Sequence, residues 1–318
     1  MIDTTELMTL IEQAGDNLGL PDCLPGLYDP IRYTLAAGGK RLRPLLCLAS
    51  CEACGVAAEE AINQAWGIEM FHNFTLLHDD VMDNADTRRG RPTVHKKWNE
   101  ATAILSGDTM LTLATQLIAR CPAEKLPQML ELFNSTAIKI YEGQQMDMDF
   151  EQRTDVTVDE YLEMIRLKTA VLLSCACEAG AMMAHASETT MRALSTWAEN
   201  VGMAFQLQDD YLDTFGSAET FGKTPGGDIL NDKKTWLLIT ALNEAPDLIR
   251  PLLGTARTQA KIDAVKAIYE ELNLPGRIHE LIDRYSTIAA EALAEANIPA
   301  SAQNWFEQLT AGLSTRNA

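Results

Sequence analysis

The pattern Asp-Asp-x-x-Asp occurs twice in this chain, each time at the end of a run of apolar residues. The first copy begins at Asp79 and ends at Asp83, and the second begins at Asp209 and ends at Asp213. On a helix, residues four apart lie on the same face, about 5.4 Å apart along the axis. Carboxylates at this spacing repel each other, so each copy predicts a cation bound between its aspartates.

The residues around the first copy indicate which cation and which ligand. Residues 57–77 lack proline and carry apolar side chains at helical spacing, which predicts a helix leading into the motif. Carboxylate oxygens suit Mg²⁺, which takes one or two protein carboxylates and completes its shell with water and substrate phosphate. Arg88 and Arg89 follow, and their guanidinium groups match phosphate oxygens. An acidic helix end beside arginines is often only a solvated surface, but the repetition on a second helix disfavours that alternative.

With both copies, the chain resembles the trans-isoprenyl diphosphate synthases, also called polyprenyl synthetases, of the short-chain type. The resemblance extends from Gly38 to Trp236. It implies that the two aspartate motifs face each other across a cavity. It also implies a Mg²⁺-dependent prenyltransferase that joins isopentenyl diphosphate to dimethylallyl, geranyl or farnesyl diphosphate, with three Mg²⁺ ions in each active site. The same resemblance implies a homodimer.

The fold class follows from periodicity. Helical patterns are predicted over residues 3–17, 28–37, 100–120, 127–149, 158–185 and 189–213, and no stretch alternates convincingly at period two. A glycine-rich segment over residues 215–228 interrupts this pattern and is predicted to be a lid over a diphosphate. We therefore expect an all-α bundle of about a dozen helices around a central cavity, forming a single domain over residues 1–318.

The resemblance also assigns roles to individual residues. It implies that Asp79, Asp83 and Asp209 bind the metal ions, with Asp210 and Asp213 in support. Isopentenyl diphosphate would be bound by four residues, Lys40, Arg43, His72 and Arg89. The allylic diphosphate would be held by Arg88, Lys168, Lys223 and Lys233. Thr169 and Gln206 would direct oxygen dipoles at the carbocation.

Other residues near these positions receive a structural interpretation. Arg41 is expected to be solvated or structural, and His78 to pack or to form structural hydrogen bonds. Taken alone, His72 would more often be a satisfied core histidine, and Lys168 could extend to the surface. Lys233 is favoured over Lys234, although Asp232 stands where relatives often have glycine.

Product length is expected to depend on the helix before the first motif. Phe74 lies five positions before Asp79, about 7.5 Å along a helix, and Thr75 beside it is small. Within the family, an aromatic residue at this position beside a small one resembles the pattern of enzymes that stop at geranylgeranyl diphosphate. The Phe74 ring would form a floor that stops the growing chain, and Phe71 could form a second floor behind it. Farnesyl diphosphate is the alternative product. Phe74 could also be core packing only.

Composition excludes several other classes of function. The net charge of −19 opposes binding to nucleic acid or to anionic membrane surfaces. No run reaches the ~18 apolar residues of a membrane helix, so no integral membrane contact is expected. The acidic start lacks the pattern of a signal peptide, which predicts a cytoplasmic location. The seven cysteines are expected to be free thiols, and the Cys51–Cys54 spacing to be structural.

Two rival functions follow from the same motifs. A class I terpene cyclase also ionises diphosphates, but it usually pairs one aspartate motif with an Asn-Ser/Thr-Glu motif and does not need the Gly38–Pro44 segment. A non-catalytic helical partner subunit should have lost aspartates or lysines that are intact here. The prenyltransferase is therefore the predicted function.

Overall fold

The computed structural model describes residues 2–216 and 225–314, and this part of the chain is almost entirely helical. The α-helices are α1 Thr4–Asp16, α2 Pro25–Leu35, α3 Leu42–Ala53, α4 Ile62–Met82, α5 Val94–Lys97, α6 Glu100–Ile118, α7 Leu126–Gln152, α8 Val158–Ile165, α9 Val171–Met183, α10 Glu188–Phe215, α11 Gly227–Leu230, α12 Trp236–Glu244, α13 Pro246–Ile249, α14 Gln259–Glu271, α15 Leu274–Glu295 and α16 Ala300–Ser314. Short 3₁₀ turns cover Ala58–Ala61 and Arg250–Leu252, and a π-helical turn covers Arg166–Ala170. The all-α prediction is confirmed.

The structure differs from the sequence prediction in three places. Helix α4 begins at Ile62 rather than at residue 57, and it runs to Met82 with Asp83 as its C-cap. The segment predicted as one helix over residues 158–185 is broken by the π turn and ends at Met183. The expectation of no strand is wrong at one point, where β1 Thr87–Arg88 pairs antiparallel with β2 Arg91–Pro92.

The β-hairpin arises from its two turn residues. Arg89 and Gly90 have φ of 52° and 71°, and two consecutive left-handed residues make the tight turn that suits a two-residue hairpin. Strands of two residues are too short to show an alternating pattern. The hairpin fixes Arg88 opposite Arg91 and leaves Arg89 in the turn.

The chain divides into two compact units, which are described separately. Unit 1 comprises Met1–Asn134 and Cys175–Met191, and unit 2 comprises Ser135–Ser174 and Arg192–Ala318. The single domain over residues 1–318 stays a prediction.

Unit 1 is built around helix α4, which packs against α1, α2, α3 and α6. Its buried positions occur on nearly every side of the helix, as expected for a central helix. Two glycines let α4 and α6 approach closely. A Cβ at Gly67 would lie 2.8 Å from Ile118 Cγ1, and one at Gly107 would collide with the ring of His78. The first aspartate motif therefore stands at the end of a rigidly packed helix.

Unit 2 has a separate apolar core. Helix α12 packs against α8, α14 and α15, and α11 packs against α14. Representative buried residues are Phe150, Leu207, Leu237 and Ile278. Thr157 and Glu160 form a reciprocal capping box that satisfies the first amides of α8. This core holds the second aspartate motif, at the end of α10.

Candidate active site

A basic group in unit 1 consists of Arg43, His72 and Arg89. Removal from water lowers the pKa of His72 well below its usual value, and the nearby guanidinium groups of Arg43 and Arg89 lower it further. Arg89 Nη1 donates a hydrogen bond to the carbonyl oxygen of Gly38. His72 is therefore neutral at pH 7 beside two fixed positive charges.

Arg43 is the member of this group without a complete set of partners. Its Nε is buried and makes no hydrogen bond within residues 2–216 and 225–314. Burial lowers its pKa to about 10, an effect that Glu69 opposes. Glu69 is itself bound by Arg41 Nη1 at 2.6 Å and by Asn73 Nδ2 at 3.0 Å. A buried donor without an acceptor is costly, so the basic group is suited to bind an anion.

Lys40 and Arg41, which precede Arg43 in the sequence, differ in their surroundings. Lys40 is exposed. Arg41 has a structural role, because it pairs with Glu69, donates to the Leu35 carbonyl oxygen at 2.6 Å and lies over the Trp66 ring. Arg41 also begins α3 with a left-handed φ of 48°. These contacts support a structural role for Arg41 rather than a solvated side chain.

The first aspartate motif places its carboxylates in different surroundings. Asp79 is half-buried and Asp83 is exposed, whereas Asp80 is buried. Arg88 Nε donates to Asp80 Oδ1 at 2.7 Å. Arg88, which the resemblance assigns to substrate, is thus held by the middle aspartate of the motif. Asp79 and Asp83, one helical turn apart, remain the candidates for a metal ion.

These carboxylates fit Mg²⁺ better than a metal that needs a full protein ligand set. Within the described residues, no group of three or more His, Cys, Asp or Glu side chains could hold a metal ion. Mg²⁺ commonly binds through one or two carboxylates together with water and substrate phosphates. The donors are oxygens, and the cysteines lie elsewhere as free thiols. A pair of carboxylates from one helical turn is compatible with that kind of site.

The residues predicted to set product length lie in an aromatic cluster on α4. Phe74 is 5% exposed, and its ring centroid lies 5.5 Å from that of Phe71 and 4.7 Å from that of His78. Phe71 packs edge-on against Phe133. Thr75 Oγ1 donates to the His72 carbonyl oxygen at 2.8 Å. His78 also lies 3.1 Å from the Ile104 carbonyl oxygen, as a structural histidine should.

A second group, in unit 2, pairs two lysines with carboxylates and is called the paired group. It consists of Asp147, Lys168, Asp228 and Lys233. Lys168 Nζ lies 2.6 Å from Asp147 Oδ2, and Lys233 Nζ lies 3.9 Å from Asp228 Oδ1. Burial lowers the pKa of Lys233, but the carboxylates around it outweigh burial and raise that pKa above its usual value.

Lys168 and Thr169 belong to the π-helical turn. This turn is held closely on two sides by glycines. A Cβ at Gly143 in α7 would lie 2.6 Å from the Lys168 backbone nitrogen, and one at Gly202 in α10 would lie 2.8 Å from Ala170 Cα. Thr169 Oγ1 donates to Gln206 Oε1 at 3.4 Å. Single π turns inside α-helices frequently occur at functional sites.

The second aspartate motif is anchored by hydrogen bonds that the sequence does not reveal. Tyr161 donates from its hydroxyl to the buried Asp210, and Gln206 Nε2 donates to Asp210 Oδ1 at 3.3 Å. Burial, the largest effect, raises the pKa of Asp210 to about 7. Asp213 Oδ1 accepts from the Asp228 backbone N–H at 2.8 Å. Asp209 is half-buried.

Three residues of this site were missed by sequence analysis. Asp147 lies in a polar stretch near the end of α7, and Asp228 is the last residue of the glycine-rich segment. Tyr161 has no signal in the sequence, because a buried tyrosine at a helical apolar position is indistinguishable from core. Lys223 lies outside the described residues.

The Cys51–Cys54 pair is structural, as predicted. Both thiols are free, and burial raises the pKa of Cys51 to about 12 and that of Cys54 to about 11. Thiols with raised pKa values are poor nucleophiles at neutral pH.

Comparisons with known proteins give one consistent result. The family model described as polyprenyl synthetase matches residues 25–272. The chain is 38% identical over 276 residues to a geranylgeranyl diphosphate synthase of Methanosarcina mazei, covering 83% of this chain and 85% of that protein.

Among the described residues, no helix combines the length and the apolar character needed to cross a membrane.

Solved structures agree with the sequence comparison. A crystal structure of a geranylgeranyl pyrophosphate synthase is 40% identical with a TM-score of 0.95, and the match covers all of both chains. A polyprenyl synthase from Caulobacter crescentus, solved with calcium and isoprenyl diphosphate, is 28% identical with a TM-score of 0.86, and the match covers 99% of this chain and 97% of that one.

Proposed function

Because the chain belongs to the polyprenyl synthetase family of prenyltransferases, we propose that it condenses isopentenyl diphosphate with allylic diphosphates to give geranylgeranyl diphosphate. The observation that carries the proposal is the buried Nε of Arg43, which has no hydrogen-bond partner among the described residues, beside a neutral His72 and Arg89. This basic group can bind a diphosphate without a metal ion. Such a site suits isopentenyl diphosphate, because this substrate must not ionise.

Isopentenyl diphosphate is assigned to the basic group together with Lys40. Arg43 and Arg89 donate to diphosphate oxygens, and the neutral His72 adds a hydrogen bond without adding charge. Arg89 already bonds to Gly38, so Gly38 and the hairpin turn together position the Arg89 guanidinium. The diphosphate here stays intact throughout the reaction.

The allylic diphosphate is assigned to Lys168, Lys223 and Lys233, with Arg88 in support and Asp79, Asp83 and Asp209 holding Mg²⁺, three ions per active site. Bound Mg²⁺ would neutralise the charge that develops on the leaving diphosphate. The lysines donate to its oxygens as the carbon–oxygen bond breaks. Asp210 and Asp213 keep the second motif in place through Tyr161 and Asp228.

The carbocation is stabilised by oxygen dipoles. Gln206 bonds to Asp210 through its amide nitrogen, which leaves its carbonyl oxygen on the side of Thr169. The double bond of isopentenyl diphosphate attacks the cation and forms the new carbon–carbon bond. The released pyrophosphate then takes the proton that is lost, so no side-chain base is needed.

Product length is assigned to Phe74, with Phe71 behind it and the small Thr75 beside it. Phe74 is buried and packs against the rings of Phe71 and His78, which suits a residue that closes the end of the cavity. The name of the Methanosarcina mazei relative supports geranylgeranyl diphosphate. Farnesyl diphosphate is the alternative product.

The homodimer is also a proposal. Ile104 and Leu105 on α6 are 42% and 59% exposed, and a second copy of the chain would cover them. Static light scattering of the purified protein checks it, and a monomer mass at micromolar concentration would contradict it. The cytoplasmic location stays a prediction.

The function is tested by incubating the purified protein with Mg²⁺, isopentenyl diphosphate and each allylic primer in turn, and then sizing the products. Geranylgeranyl diphosphate as the main product is the expected result. Farnesyl diphosphate would establish the alternative, and cyclic hydrocarbon from an allylic diphosphate alone would indicate a terpene cyclase. Exhaustive chelation of divalent metal should abolish turnover, and Mg²⁺ should restore it.

A further inference from the structure

The segment that carries Lys233 is attached to the rest of unit 2 at its beginning. Helix α11 and the following turn lead from Gly227 to Thr235. At the start, Asp213 Oδ1 accepts from the Asp228 backbone N–H at 2.8 Å. The Lys233 N–H then donates to the Asp228 carbonyl oxygen at 3.0 Å. The first bond joins the segment to the second aspartate motif, and the second closes the turn before Lys233.

Asp232, immediately before Lys233, has an unfavourable backbone conformation. Its φ is 50°, in the left-handed region that favours glycine, although aspartate tolerates this region better than most residues. The Asp232 carboxylate makes two contacts that a glycine at this position could not make. Oδ1 accepts from Lys261 Nζ at 2.7 Å, and Oδ2 accepts from the Gly254 N–H at 2.8 Å.

Lys261 is unusual because of its burial. It is 4% exposed, in the first turn of α14, and lysine is almost never buried to this extent unless it is paired. Its ion-pair partner is Asp232. A buried ammonium bonded to a carboxylate in a strained turn fixes the position of that turn relative to α14.

We propose that Asp232 and Lys261 are positioning residues for Lys233, which they hold among the carboxylates of Asp147, Asp210, Asp213 and Asp228. Lys261 acts through Asp232 and does not contact substrate. The inference rests on the proposed function in taking the Lys233 ammonium as a ligand of the allylic diphosphate. Without the pair, the turn before Lys233 loses its link to α14, so the ammonium samples other positions and binds a diphosphate less well.

The test uses three variants of the full chain. Lys261→Met removes the ammonium and keeps the length of the side chain. The double variant Asp232→Gly with Lys261→Met removes both charges and places glycine where φ is positive. Arg153→Met is the control, because the ion pairs of Arg153 are with Asp155 and Glu160, which belong to the same unit but not to residues 227–235.

Two quantities are measured for each variant, the Kd for inorganic pyrophosphate with Mg²⁺ by calorimetry and the KM of each substrate. For Lys261→Met and for the double variant we expect the Kd and the allylic KM to rise about tenfold, with the isopentenyl diphosphate KM within about twofold of wild type. The control should leave all three unchanged. Unaltered pyrophosphate binding in Lys261→Met would overturn the inference.

Melting temperature separates positioning from stability alone. The double variant has no buried unpaired charge and no strained side chain, so its melting temperature should recover toward that of wild type. If its pyrophosphate Kd recovers as well, the pair acts only on stability and the inference is wrong. A wild-type protein that binds pyrophosphate but forms no prenyl product would refute the proposed function, and the Kd comparison would still test the inference.

Discussion

At the scale of single residues, the basic group combines charge with a neutral donor. Burial is the main reason that the pKa of His72 is lowered and the ring stays uncharged, and Arg43 and Arg89 lower that pKa further. A diphosphate bound there would meet two permanent charges and one hydrogen-bonding ring. The sequence identified these residues through their resemblance to a family motif, whereas the unpartnered Nε of Arg43 became visible only in the structure.

Replacing Arg43 by alanine should impair one substrate selectively. A charge-assisted hydrogen bond contributes about 1.5–3 kcal/mol, so the KM for isopentenyl diphosphate should rise about ten- to a hundredfold in Arg43→Ala. The KM for the allylic substrate should change far less. Initial-rate kinetics with one substrate varied at a time measure both values. Exposed Arg120→Ala is the control, and equal increases for both substrates would contradict the two-site assignment.

His72 should also make stability depend on pH. Its pKa is lowered in the folded protein, so near pH 6 the unfolded chain binds more protons than the folded one. The contribution of the neutral ring is therefore fully present above its unfolded pKa of about 6.5 and is lost as the pH falls toward the folded pKa. Wild type should lose more unfolding free energy between pH 7.5 and 5.5 than His72→Gln. Parallel curves from urea unfolding would refute this role.

At the scale of elements, the helices were more predictable than their interruptions. Helix α4 was expected from its apolar spacing, because a central helix buries residues at every turn. The π turn at Lys168 and Thr169 was not expected, because it depends on the space left by Gly143 and Gly202, which are distant in sequence. The hairpin was missed for a similar reason, since two left-handed residues rather than a strand pattern produce it.

Phe74 tests whether α4 sets the length of the product. Phe74→Ala should shift the main product to chains longer than geranylgeranyl diphosphate, at a cost of about 3–5 kcal/mol in stability. Product sizing by chromatography and unfolding in urea give the two readings. Phe133→Ala is the matched control, because Phe133 packs on Phe71 from α7 and should destabilise without lengthening the product. A folded, active Phe74→Ala with unchanged products would make Phe74 a packing residue only.

At the scale of the whole molecule, the two aspartate motifs belong to different compact units, and the proposed reaction needs both. Asp79→Ala and Asp209→Ala should each lower turnover about a thousandfold or more, as expected when stabilisation of the leaving group is lost. The fold should persist, because removing one of several like charges relieves repulsion. Circular dichroism and steady-state rates measure these effects, with exposed Asp283→Ala as the control. Turnover within threefold of wild type would show that the metal ligands are misassigned.

The family and the all-α fold were predictable because two motifs and helical periodicity are local in sequence. Contacts such as Tyr161 with Asp210 and Lys261 with Asp232 were not, since each joins residues from separate helices or turns. For such pairs the sequence supplies only residue types, and burial decides which polar groups must meet.

The paired group has a consequence for how ligands would enter unit 2. Lys168 and Lys233 are each held by a carboxylate in this structure, so binding there is an ion exchange rather than the filling of vacant sites. A lysine that turns to a phosphate withdraws its positive charge from Asp147 or Asp228, and the negative charge that remains favours a metal ion nearby. Metal and diphosphate should therefore each strengthen the binding of the other by the same factor.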